Sequence, residues 1–151
     1  MLELTQYTPS NNSKLEYKKK IRFPITCAIN GYAEKGDTIR IIAIKNDGNV
    51  DAEYNYKEFF IKEIETVTEE KGIEFDHKNI QIINIPNDET IETHLKLFVD
   101  IFSAIEKDEE VYACMTFGTK PVPVVLSMAL NYVNRIRKNT SVNCIVYACF
   151  L

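Results

Sequence analysis

The chain has 151 residues, 45% of them hydrophobic and 26% charged, and carries a formal net charge of −4. That length and balance fit a single globular domain with a sizeable core and exclude a disordered segment. The acidic balance argues against a broad electrostatic grip on duplex nucleic acid, yet a small anionic ligand needs only a local cluster of donors.

In chain order, Met1–Gln6 reads as a short strand and Thr8–Ser13 as a polar loop. The run Lys18-Lys19-Lys20 reads as a solvated approach to the next element rather than a binding patch. Phe23-Pro24 opens a helix, because proline suits a first turn, and Ile25, Ala28, Ile29 and Tyr32 share one face. Beyond Gly36-Asp37, the β-branched run Thr38–Ile44 predicts a strand covered on both faces. Asn46–Asn49 is turn chemistry. A helical pattern from about Asn55 to Lys71 turns Phe60, Ile64 and Val67 inward, its alternating glutamates and lysines form a solvated face, and Gly72 stops it. Ile80–Ile85 is a second buried-strand candidate, closed by Pro86-Asn87-Asp88. Thr90 to about Glu106 has the cleanest amphipathic spacing, with Ile91, Leu95, Phe98, Phe102 and Ile105 expected inward. Glu110–Met115 reads as a strand, Pro121 to about Lys138 as the longest helix, and Val142–Ala148 as a fifth strand.

This βαβαβαβαβ alternation predicts an α/β fold of the Rossmann-like class: a mostly parallel five- to six-stranded sheet with helices on both faces. The apolar end Cys149-Phe150-Leu151 directly follows a strand, so residues 1–151 are expected to form one domain at the N-terminus of a longer protein. Cys27, Cys114, Cys144 and Cys149 lie in or beside apolar runs without CxxC spacing, which favours buried free thiols over disulfides or zinc. No apolar run approaches the ~18 residues of a membrane span, and no leader pattern opens the chain. The expected location is the cytoplasm, with no membrane contact by this domain.

The stretch Cys114–Pro123 carries the most chemistry. A small polar loop with Gly118 and Lys120 joins a buried strand to a helix N-terminus, an arrangement that suits a phosphate. In the common 3-2-1-4-5 strand order, the ligand crevice would be bordered by Thr5-Gln6-Tyr7-Thr8 and Thr116-Phe117-Gly118-Thr119-Lys120. The plainer alternative is two ordinary strand-to-helix turns. There is no GxGxxG after the first strand and no GxxxxGK[ST], so neither a nicotinamide enzyme nor a P-loop ATPase is favoured. His77 and His94 form no metal pair, and nothing reads as a Ser-His-Asp arrangement. No metal and no cofactor is expected.

Cys114-Met115-Thr116-Phe117-Gly118-Thr119-Lys120-Pro121 resembles the D-x-T-[HY]-G-x-[RK]-P signature of CRISPR-associated Rossmann-fold (CARF) sensor domains. Thr116, Gly118, Lys120 and Pro121 match, whereas Phe117 replaces His or Tyr and Cys114 stands where Asp is usual. The resemblance implies a C2 homodimer that binds a cyclic oligoadenylate, such as cyclic tetra- or hexa-adenylate, and switches an attached effector in type III CRISPR antiviral defence. It implies ligand contacts from Thr5, Gln6, Tyr7, Thr8, Thr116, Phe117, Gly118, Thr119 and Lys120. Some members of that family also cut the ring by 2′-OH attack without a metal, and Thr116 and Lys120 would carry that step here. Cys114 and Phe117 remove two groups that would assist it, so binding without rapid turnover is favoured. The alternatives are a metal-independent ring nuclease and another nucleotide-binding Rossmann-like enzyme.

Overall fold

A computed structural model describes residues 2–116 and 121–148. Expectations that fall on Phe117, Gly118, Thr119, Lys120 and Cys149 lie outside the described residues.

Helices and short parallel strands alternate along the chain. The elements are α1 (Ile25–Tyr32), β1 (Ile42–Asn46), α2 (Val50–Asn55), α3 (Ile61–Lys71), β2 (Gln81–Ile85), α4 (Ile91–Ala104), β3 (Glu110–Cys114), α5 (Pro121–Ile136) and β4 (Ser141–Val146). A π-helical turn at Tyr56–Phe60 joins α2 to α3, so the helical stretch expected from Asn55 begins five residues earlier. Gly72 ends it with φ of 68°, a left-handed cap that glycine adopts without a Cβ penalty.

The single wide sheet is not found. Among the described residues, β1 pairs in parallel with β2 and β3 in parallel with β4, giving two two-stranded sheets. The expected first strand is the reason. Leu2–Gln6 pairs only at Thr5, which exchanges two 2.9 Å backbone hydrogen bonds with Ile21 in an antiparallel bridge. With Leu4 half-exposed, the segment has no apolar face to hold it between the two sheets. The 3-2-1-4-5 order, and the crevice deduced from it, are therefore not features of this structure. The strand expected over Thr38–Ile44 also shortens: Thr38 makes a parallel bridge to Glu74, and the ladder starts at Ile42.

Both sheets share one core. It collects Ile83 and Ile85 of β2, Leu97, Ile101 and Ala104 of α4, Ala113 of β3, and Val122, Val125, Ala129, Leu130 and Val133 of α5. Ile101 and Val133 are almost wholly enclosed, and each such side chain contributes about 1.5–3 kcal/mol. The inward row of α4 differs from the expected one. Leu97, Ile101 and Ala104 point inward, with Ile105 just beyond them, while Ile91 and Leu95 are exposed. On α1 the buried residues are Thr26, Cys27 and Ala28, and Ile25, Ile29 and Tyr32 are half-buried. On α3, Ile64 and Val67 are buried as their spacing requires.

Candidate functional site

The site forms where β3 ends. Cys114 is the last residue of β3, and its Sγ donates to Thr116 Oγ1 at 3.4 Å. The same oxygen accepts from the backbone N–H of Ala148, just beyond β4, at 3.1 Å. The Met115 N–H continues the ladder to the Val146 carbonyl at 3.0 Å. The Thr116 hydroxyl is thereby held between the Cys114 sulfur and the Ala148 N–H.

The N-terminus of α1 closes the opposite side. The Ile25 backbone hydrogen-bonds the Cys114 sulfur, while burial raises the pKa of this thiol and the bonds from Thr116 and Ile25 oppose that rise. Cys27, one turn into α1, is pushed up to about 11, first by burial and then by the charges of Glu63 and Cys114. Cys27, Cys114 and Cys144 are free thiols. Tyr7 sits in the same field. Burial raises its phenol, Cys114, Cys27 and Glu63 push it further, and a hydrogen bond with Thr5 pulls it back.

The N-terminal segment and the end of β3 therefore meet, without a shared sheet, around Tyr7, Cys27, Cys114 and Thr116. Thr5 is half-buried and bridged to Ile21, whereas Gln6 and Thr8 are exposed. At neutral pH this floor is uncharged: two protonated thiols, one neutral phenol and one hydroxyl. Such a surface suits ribose hydroxyls and base edges better than phosphate. Lys120, expected to supply positive charge for a phosphate, and the expected contacts Phe117, Gly118 and Thr119 lie outside the described residues.

Helical spacing assigns Glu63 to a solvated face, and its geometry gives it a different task. Its carboxylate accepts from the backbone N–H of Arg22 at 2.8 Å, the N–H of Phe23 at 3.0 Å and the Thr26 hydroxyl at 2.7 Å. Pro24 at the N-cap has no capping side chain, and Glu63 instead braces the two residues that lead into α1 and the Thr26 hydroxyl of its first turn from α3. An anion at that helix end would meet a carboxylate already in place. Cys27 is legible in the sequence as a buried thiol, but neither its place beside Cys114 nor the task of Glu63 is, because neither residue lies in a recognisable motif. Only the Phe23-Pro24 helix start, with no Ser, Thr, Asp or Asn to cap it, hinted that a distant acid was needed.

Beyond this helix end lies an open cleft of about 300 Å³ lined by Tyr17, Lys19, Lys20, Arg22, Phe59 and Lys62, among others. Much of its positive charge is matched: Lys19 pairs with Glu70 at 2.5 Å and Lys62 with Glu58 at 3.5 Å, while Arg22 lies 4.0 Å from the Phe59 ring centroid. His77 Nδ1 is 2.9 Å from Glu65. Among the described residues no group of three or more His, Cys, Asp or Glu side chains can hold a metal ion, and no helix is long and apolar enough to cross a membrane. Comparison with protein-family models, with curated proteins and with solved structures returns no match.

Proposed function

We propose that this domain is a receptor for a cyclic oligoadenylate, bound across the two-fold axis of a homodimer, and that binding regulates an attached effector in type III CRISPR defence. The observation that carries the reading is the octapeptide Cys114–Pro121, which leaves a parallel strand and runs into the N-terminus of the longest helix. Thr116 offers a hydroxyl fixed at the end of β3, Tyr7 brings a ring and a phenol near Cys114, and Lys120 in the same octapeptide would supply charge. A C2 ligand needs only one such loop from each chain, so a net-acidic domain can still hold it.

Binding without turnover is the favoured form. Cys114 and Phe117 stand where the family signature has Asp and His or Tyr, so two groups that would assist attack by a 2′-OH are absent from the loop. Chromatography that detects linear oligoadenylate after incubation with the protein would turn the reading toward a ring nuclease.

A thermal-shift panel of cyclic tri-, tetra- and hexa-adenylate, ATP and NAD tests the ligand class. Ligand at 100 times its Kd adds about 2.7 kcal/mol of stability, which raises Tm by roughly 5–10 °C for a domain of this size. Lys120→Ala should abolish that shift and leave the unliganded Tm unchanged. A shift with ATP or NAD alone would place the protein among other nucleotide-binding enzymes, and a shift indifferent to Lys120→Ala would overturn the site.

A further inference from the structure

The pair α4 and α5 is apolar on two sides. One side faces the shared core. The other is exposed: on α4, Ile91, Leu95 and Val99 recur at i, i+4 and i+8, and are 70%, 60% and 56% accessible. On α5, Val124, Met128, Tyr132 and Ile136 recur at the same interval and are 60%, 59%, 43% and 60% accessible. The two rows are one surface, because the Tyr132 ring lies between helices, 5.7 Å from Phe98 and 5.2 Å from Phe102, centroid to centroid. A helix with apolar residues on opposite sides belongs between two partners. Here one of them is missing.

We infer that this α4–α5 face is an isologous interface with a second copy of the chain. Size is the first argument. Seven large side chains more than two-fifths exposed come to roughly 700 Å², close to the ~800 Å² per partner of a standard interface and above the largest patch of most monomers. Charge is the second. The rows contain no Asp, Glu, Lys, Arg or His, and α5 has one charged residue, Arg135, in sixteen. The charges of α4 form a separate row at Glu92, Lys96 and Asp100, where Lys96 is paired to Asp100 at 2.6 Å. A patch that must meet its own image in a C2 pair avoids like-charge contacts by having none. A helix lying on an anionic membrane would instead flank its apolar side with lysine and arginine. The proposal shares the expectation of a dimer with the receptor reading, but it stands on this face alone and needs no ligand.

Sedimentation equilibrium without nucleotide tests it. The wild-type chain should be a dimer with Kd in the micromolar range or below, and Met128→Glu and Leu95→Glu should each weaken association at least ~100-fold. Both sites are exposed, so circular dichroism and thermal unfolding should match wild type, and Val50→Glu, at an exposed site on α2, should leave the dimer intact. A monomeric wild type, or a monomer that instead binds lipid vesicles, would overturn the proposal. So would a dimer that both face variants leave unchanged. A ligand-free dimer that gives no shift in the nucleotide panel would support the interface while the receptor reading fails.

Discussion

Glu63 stands beside Lys62 on a helix rich in lysine and glutamate, where periodicity alone assigns it to water. Its three hydrogen bonds to Arg22, Phe23 and Thr26 tie α3 to the start of α1 across forty positions of sequence. Removing the carboxylate strands two backbone N–H groups in a half-buried place, where each lost bond to a charged acceptor is worth more than an ordinary one. Glu63→Ala should therefore cost about 2–3 kcal/mol in urea unfolding, and Glu63→Gln, which keeps one acceptor oxygen, distinctly less. Equal stability of Glu63→Ala and wild type would show that these bonds do not hold α3 to the start of α1. The contrast with Thr116 is instructive. Thr116 was legible because its motif is local, four residues from a lysine at a strand end. Glu63 was not, because helical spacing tells which face a residue occupies and nothing about a partner brought there by the fold. Tyr7 falls between these cases: its loop was picked out, but on a strand order that the structure does not have.

Helices were read more faithfully than strands, and the reason is energetic. A helix satisfies its backbone within one segment, so α4 and α5 are recognisable from spacing and end signals alone. A strand needs a neighbour, and Met1–Gln6 lost its place to an antiparallel bridge with Ile21. The start of α4 shows how much local chemistry such an end contains. Thr90 caps the Thr93 N–H at 3.3 Å, and the Asp88 carboxylate accepts from the Thr90 and Thr93 hydroxyls at 2.7 and 2.6 Å. These bonds, Thr93 first, hold the Asp88 pKa below its ordinary value. A lowered carboxyl pKa means that its stabilising contribution is complete above the ordinary value and disappears as acid passes through the folded one. Asp88→Ala should accordingly lower Tm at neutral pH, and the gap to wild type should persist down to about pH 3.8 and close below it. A gap that stayed constant in acid would assign the loss to packing rather than to the carboxylate. The misread face of α4 belongs to the same scale. Ile91 and Leu95 do form an apolar row with Phe98 and Phe102, as their spacing says. A second row through Leu97 and Ile101 is the one that reaches the core.

At the scale of the whole molecule, the acidic balance and the uncharged α4–α5 face separate two kinds of association by their response to salt. An interface made of Leu95, Val99, Val124, Met128 and Tyr132 gains its free energy from apolar area, which ions screen little. The proposed polyanionic ring, held by Lys120 from each chain of a protein of net charge −4, would depend on short-range Coulomb attraction working against an unfavourable long-range field. Raising ionic strength about tenfold shrinks the Debye length roughly threefold and releases no counterions from an apolar contact. The dimer constant should then move by less than about twofold, while affinity for cyclic oligoadenylate falls by about tenfold or more. Sedimentation and titration calorimetry in the same two buffers measure both. Dimer dissociation that rises steeply with salt would mean that charged residues outside the two apolar rows hold the chains together. Ligand affinity indifferent to salt would mean that the ring is held by its bases against Tyr7 and the neutral floor of Cys27 and Cys114, with little contribution from Lys120.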